Sequence, residues 1–304
     1  MTYVATTLNR REAIDTAAVV IMIGLTFSWG LNSVAAKLAN VGYNPVLVTV
    51  LRSAIAGVLV FGWCRWRGIA LFQRDGTLLP GIVAGMLFGG EFLLIFHSLD
   101  FTSVARNTLM VNTMPFWVLL GAHFLLGEHM SVRKWLGLLL AFAGVALVFS
   151  DKLSLTGPHA LWGDVMGLGA GILWAATTLV IKSTRLAHAG AEKLLLYQLA
   201  VSAVLIAPLL VLAGPLTRDL SALATGALLF QAIFVVAFTY VVWFWVMRRY
   251  PAAGLSSFAF LTPVFAVLLG GMLLGEPLSI RIFLALGLIA AGLVLVNRSA
   301  RGRQ

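Results

Sequence analysis

The chain carries ten apolar runs, each close to the length that crosses a lipid bilayer, and this pattern leaves it few ways to fold. They fall at about residues 17 to 37, 46 to 63, 78 to 98, 103 to 125, 133 to 150, 161 to 182, 192 to 213, 223 to 247, 253 to 274 and 280 to 297. A helix rises 1.5 Å per residue, so ~20 residues span the ~30 Å of hydrocarbon. Strands of a membrane barrel would need only ~10 residues of alternating polarity, and these runs do not alternate. Charged residues make up 11% of the 304. That is too few to cover a soluble globule, where roughly 25% is usual, and a chain this apolar is not disordered either. The expected fold class is an all-α polytopic membrane protein with ten transmembrane helices. The polar opening, Met1 to Thr16, lacks the order of basic region, short apolar core and cleavage site of a signal peptide, so the first span is expected to be retained.

The charges that remain carry a topology. Lys and Arg number 21 against 11 Asp and Glu, leaving +10. They lie between apolar runs rather than on one solvated face, so the partner expected is the lipid bilayer and not nucleic acid. Fifteen cations fall on the side of the N-terminus, among them Arg10, Arg11, Lys182, Lys193, Arg248 and Arg249. The opposite side holds Lys37, Arg106, Lys152, Arg218 and Arg281, and Arg52 lies inside a run. Positive loops stay in the cytoplasm, which places both termini there and makes most of these residues headgroup anchors. Trp63, Trp66, Trp135 and Trp162, at span ends, are expected as interfacial anchors.

The chain is also internally duplicated. Sliding it by 148 positions sets Pro115 on Pro263, Gly127-Glu128 on Gly275-Glu276, Ser131 on Ser279, Arg133 on Arg281 and Gly144 on Gly292. From Pro115 to Val148, 15 of 34 positions are identical. A second echo, at an offset of 145, pairs Trp29 with Trp174 and Lys37 with Lys182. The halves, 1–150 and 151–304, hold five spans each. Five is odd, so the second copy enters the membrane from the opposite face, giving two inverted five-helix repeats. Inverted repeats are an architecture of secondary transporters, with the substrate site between them near the bilayer midplane.

With ten spans, the five-plus-five duplication, L-L-G-E at the ends of spans four and nine, and a tryptophan in spans one and six, the chain resembles the drug/metabolite transporter superfamily. Within it, the chain is similar to the EamA-type exporters and to their aromatic amino-acid exporter branch. The resemblance implies metabolite export across a bacterial inner membrane, through a central cavity lined by the first, third, fourth, sixth, eighth and ninth helices.

No G-x-x-x-x-G-K-[ST], H-E-x-x-H or G-x-S-x-G sequence occurs, and the spans offer no Cys/His cluster for a metal. The expectation is a carrier that is not an enzyme, needs no cofactor or metal, works as a monomer, and moves a small-molecule substrate down its own gradient or with a coupled ion. A channel would need a continuous polar stripe, and a scaffold or receptor a soluble domain. The lone Cys64 permits no internal disulfide.

Within the spans, Arg52 and Glu91 are the costly groups. Both lie roughly 9 to 10 Å below the outer boundary at 1.5 Å per residue, so they could pair across adjacent helices. Alternatively, Glu91 could couple protons or bind an ammonium group while Arg52 grips a carboxylate. Candidate cavity residues are Trp29 with Asn32 three residues on, Trp174 with Thr177, Asn112 and Trp117 flanking Pro115, and the stripe Tyr240, Trp243, Phe244. Apolar walls with a few amides and hydroxyls suit an uncharged or zwitterionic solute with an apolar side chain. Pro115 and Pro263 each free a backbone carbonyl and are candidate hinges. Asn107 and Asn112 are expected to bond between helices, with substrate contact as the alternative, and His97 and His123 to sit satisfied near span ends, with pH sensing as the alternative. The stripes Gly81, Gly85, Gly89 and Gly163, Gly167, Gly171 are read as packing seams within the monomer. Amino acids, aromatic ones first, lead the expected substrates, with a multidrug exporter as the alternative.

Overall fold

The computed structural model describes residues 14–102, 104–150, 159–274 and 280–297. The Gly275-Glu276 copy of the duplicated motif and the side chains of Lys37 and His97 lie outside what is described. Helices α1 (Thr16–Gly42), α2 (Pro45–Trp66) and α3 (Leu78–Phe101) each form one span. Their starts follow local chemistry: Asp15 accepts the Ala18 N–H at 2.9 Å, and Asn44 caps α2 with Pro45 in its first turn.

The fourth span is broken. α4 (Val104–Val111) and α5 (Met114–Leu126) are separated at Asn112 and Thr113, with Pro115 in the first turn of α5. A left-handed Gly127, φ 67°, ends α5. α6 (Val132–Phe149), α7 (Ala160–Ser183) and α8 (Ala191–Ile206) follow, the last continued as a 3-10 turn over Ala207–Val211. The eighth span joins α9 (Ala222–Phe230) to α10 (Tyr240–Met247) through nine π-helical residues, Gln231–Thr239. The ninth runs from α11 (Ala252–Ser257) through a 3-10 turn, Phe258–Phe260, into α12 (Leu261–Leu274), where Pro263 is the third residue. Shifting by 148 sets this 3-10 turn on residues 110 to 112, so both halves leave regular helix just before the matched proline. α13 (Arg281–Asn297) is last.

Eight of these spans are long and apolar enough to cross a membrane among the described residues. The other two of the ten expected are α6 and α13, helices of 18 and 17 residues. The outward faces of the bundle are apolar: Val58 of α2 is 71% exposed and Phe124 of α5 73%, which suits contact with lipid rather than water.

Helices that correspond by the duplication pack in corresponding ways. α1 lies on α12, and α7 on α5. α6 packs on its own counterpart α13, and α2 on its counterpart α8. At the α6–α13 crossing, Gly137 faces Gly292 while Gly144 faces Ala285, so the helices run antiparallel with backbones nearly touching. A Cβ added at Gly137 would lie 2.7 Å from the Gly292 carbonyl oxygen, and one at Gly144 2.9 Å from that of Ala285. Gly137 and Ala285 are equivalent positions, as are Gly144 and Gly292, so the contact is reciprocal. The two glycine stripes also lie on seams between the halves. Gly81 and Gly85 receive Tyr197 and Val201 of α8, and Gly163 and Gly171 approach the end of α3 and α4.

Several charges do not sit where the sequence places them. Lys182 is buried, its ammonium donating to the Tyr250 carbonyl at 2.5 Å, because the link between α10 and α11 covers the end of α7. Lys193 is also buried and pairs with Asp75 at 2.7 Å. Arg106 pairs with Asp164, which also accepts the Thr102 hydroxyl at 3.0 Å. These three hold helices together rather than anchoring to headgroups. Trp135 likewise packs inward on Phe116, ring centroids 5.6 Å apart, whereas Trp63, Trp66 and Trp162 are exposed.

Candidate functional site

A cavity of about 480 Å³ lies between the two halves. That volume suits a small organic molecule. It is walled by the first, third, fourth, sixth, eighth and ninth spans, and also by α2 through Val48 and Arg52 and by α8 through Gln198.

One wall is aromatic, and it is built where the eighth span changes pitch. The π-helical stretch widens each turn and ends at Thr239, whose hydroxyl accepts the Trp29 indole N–H at 3.1 Å. Immediately after it, Tyr240 and Trp243 meet Trp29 edge to face, with centroids 6.1 and 5.6 Å away. Phe88 of α3 closes on Tyr240 at 6.3 Å. Phe244, one residue beyond Trp243, lines the same space, as do Trp174 and Thr177 of α7. The Thr177 hydroxyl is turned onto its own helix, donating to the Leu173 carbonyl at 2.9 Å.

The polar groups form a second region. Asn32 lies beside Trp29 on α1, and Asn112 stands at the break in the fourth span, its amide donating to the Thr108 carbonyl at 2.8 Å. Asn107 bonds across to Ser98 of α3. Gln198, Gln231 and Thr262 also line the cavity and were missed by sequence reasoning. The signal was present: each glutamine is a lone amide deep in an apolar run, the criterion that singled out Asn107 and Asn112. Among the described residues, most of the buried polar atoms without a hydrogen-bond partner gather here: Asn32 Oδ1, Arg52 Nε, Glu91 Oε2, both amide atoms of Gln198, Gln231 Nε2 and Thr262 Oγ1. Such groups are costly to leave unmatched, so their concentration around one cavity marks a place built for a polar ligand or water.

Arg52 and Glu91 both border the cavity, but no ion pair joins them among the described residues. The direct pairing expected from their equal depth fails because α2 and α3, neighbours in sequence, scarcely touch. α2 packs on α8 and the eighth span, while α3 packs on α7 and α8. The Arg52 guanidinium lies over the Phe92 ring, 4.1 Å from its centroid.

Trp117 stands apart from the cavity lining. Its indole N–H donates to the Thr113 hydroxyl at 3.2 Å, and its ring packs in a cluster with Met114, Val118, Ala175 and Leu179. Pro115 is buried in the same cluster's helix and Pro263 in the ninth span, neither lining the cavity. His123 contacts the Glu128 carbonyl at 3.2 Å, near the end of α5. No group of three or more His, Cys, Asp or Glu able to hold a metal occurs among the described residues.

An apolar exterior, a bundle of membrane-length helices and a solute-sized cavity between duplicated halves define a multi-pass membrane transport protein. The chain belongs to the EamA-like transporter family, whose model matches residues 16–150 and again 161–298. It is a transporter and not an enzyme. It is 28% identical to the uncharacterized transporter YoaV of Bacillus subtilis, over 90% of this chain and 94% of that one. It is 26% identical to the uncharacterized inner membrane transporter YedA of Escherichia coli, over 91% and 89%. A WAT1-related chloroplastic protein of Arabidopsis thaliana is 29% identical, over 91% of this chain and 67% of its own length. A solved crystal structure shares the fold, with a TM-score of 0.80 at 21% identity, over 93% of this chain and 96% of the other.

Proposed function

We propose that this protein exports amino acids, with aromatic and other apolar ones foremost, and related small metabolites across a bacterial inner membrane by alternating access. The observation that carries this reading is the cavity itself: an aromatic wall of Trp29, Tyr240, Trp243 and Phe88 faces unmatched amide and charged groups on Asn32, Gln198, Gln231, Arg52 and Glu91. Such a space accepts a molecule with a flat apolar body and a polar head. On this reading the chain is most similar in role to the aromatic amino-acid exporter branch and works as a monomer.

Ten spans in two inverted five-helix repeats, with both termini cytoplasmic, would supply the alternation. The antiparallel, reciprocal crossing of α6 and α13 supports the inversion, because equivalent helices related by a two-fold axis in the membrane plane must run in opposite directions. The matched breaks before Pro115 and Pro263 give each half a place to bend.

Counterflow into liposomes preloaded with unlabelled amino acid tests the reading. Saturable accumulation of labelled phenylalanine or tryptophan, driven only by the unlabelled solute inside, is the expected result. Linear flux without counterflow, or no flux of any amino acid, overturns it. The second reading, a multidrug exporter, draws on the same aromatic wall, whose ring faces can also receive organic cations. It is favoured if cationic dyes show counterflow and amino acids do not.

A further inference from the structure

Arg52 and Glu91 are the only residues with formal charge bordering the cavity among the described residues, which makes the site net neutral while leaving it strongly polar. Both are more than nine-tenths buried, at 5% and 6% exposure. Each retains a polar atom with no partner, Nε on Arg52 and Oε2 on Glu91, and no ion pair between them cancels the two charges. The Arg52 guanidinium carbon lies over the Phe92 ring, 4.1 Å from its centroid, a contact that uses none of its N–H groups. Those N–H groups form a planar fork that suits a planar acceptor such as a carboxylate. When ionised, Glu91 has the complementary need, an acceptor-only group lacking a donor at Oε2. The Phe92 ring meets Phe88 at 5.0 Å and Phe88 meets Tyr240 at 6.3 Å, so the aromatic wall runs up to Arg52, and Glu91 lines the same cavity.

We infer that Arg52 and Glu91 read the two charges of a net-neutral zwitterion, with the solute carboxylate at Arg52, its ammonium group at Glu91 and its ring against Trp29, Tyr240 and Trp243. This rests on the proposed function and adds the residues that set specificity. The physical reason is compensation. A solute with both charges satisfies both buried groups, whereas one with a single charge leaves the other buried and unmatched, a heavily penalised state. The site therefore rejects monoanions and organic cations alike.

Four probes sharing one aromatic ring test this by binding to the purified protein in lipid nanodiscs: phenylalanine, 3-phenylpropionate, phenethylamine and 3-phenylpropanol. Phenylalanine is expected to bind roughly tenfold to 100-fold tighter than either singly charged probe, the range for losing one hydrogen-bonded charge contact. Arg52→Gln should weaken phenylalanine and turn the preference toward phenethylamine, and Glu91→Gln should turn it toward 3-phenylpropionate. The wild-type comparison stands even if a variant does not fold. Binding of all four probes within threefold of one another, or variants that weaken all four equally, overturns the inference and leaves the proposed function intact. If none of the four binds, the aromatic-solute function fails and this inference with it.

Discussion

The Glu128 carboxylate accepts the backbone N–H of Ala252 at 2.8 Å and that of Ala253 at 3.4 Å, so the last residue of the L-L-G-E segment in one half caps the start of α11 in the other. The partners are 124 residues apart in the chain. Two further bonds converge on the same link: Lys182 on the Tyr250 carbonyl, and the Tyr250 hydroxyl on Asp15 at 2.9 Å. One short stretch thus ties together the ends of α1, α5, α7 and α10. Removing the cap with Glu128→Ala should cost about 0.5–2 kcal/mol, read as a lower melting temperature in detergent. Glu128→Gln, which keeps one acceptor oxygen, should lose less. Equal loss in both variants would contradict the capping role.

The close approach of α6 and α13 makes a contrast between glycines. Gly137→Val or Gly292→Val drives a side chain into facing backbone and should reduce folded yield and stability by about 1–3 kcal/mol or more. At Gly24 and Gly287 an added Cβ meets nothing within 4 Å, so alanine there should be neutral or stabilising. Size-exclusion profiles and thermal melts of the four variants distinguish the two classes.

Trp29 and Thr239 join the first span to the π-helical stretch. Trp29→Phe and Thr239→Val should each cost about 1 kcal/mol, and the double variant little more than either alone. A double variant whose losses add fully would show that the indole N–H to hydroxyl bond contributes nothing to stability.

Asp75, in the link between α2 and α3, gives a pH dependence. Partial burial works against its ionisation, but hydrogen bonds from the Lys193 ammonium and from Thr77, at 2.7 and 2.5 Å for the side chains, hold its pKa at about 2. An unfolded Asp titrates near ~3.9. With the folded value lowered, its stabilising contribution is complete above about pH 4 and disappears as the pH falls toward 2. Melting temperatures should therefore decline through that window, and Asp75→Asn should flatten the decline.

Alanine at Pro115 or Pro263 restores the backbone donor that each proline lacks and removes the reason for a bend. If these positions are hinges, transport slows severalfold while solute affinity stays within twofold. A loss of affinity with unchanged turnover would place the prolines in the shape of the cavity instead.

The helical architecture was readable because bilayer thickness imposes one length on every span. The aromatic wall was readable because Tyr240, Trp243 and Phe244 repeat at helical spacing. What escaped was anything dependent on which helices become neighbours. Arg52 and Glu91 were rightly singled out as buried charges, yet pairing them assumed that consecutive spans pack together, and α8 lies against both instead. Lys182 looked like a headgroup anchor because it ends a span, and nothing local reveals that Tyr250 will cover it. Glu128 was legible only as part of a repeat, since the backbone it caps belongs to the other half. Gln198 and Gln231 were legible by the same criterion as Asn107 and Asn112, since each sets a lone amide inside an apolar run.

The reciprocal glycine crossing has a mechanical consequence. Where Gly137 meets Gly292 and Gly144 meets Ala285, no layer of side chains separates the two backbones, and a tight contact of that kind has few alternative registers to slide between. α6 and α13 also contribute no residue to the cavity. If the protein alternates as proposed, this pair is the part built to stay fixed, a stator outside the cavity lining against which the eight cavity-forming spans would turn.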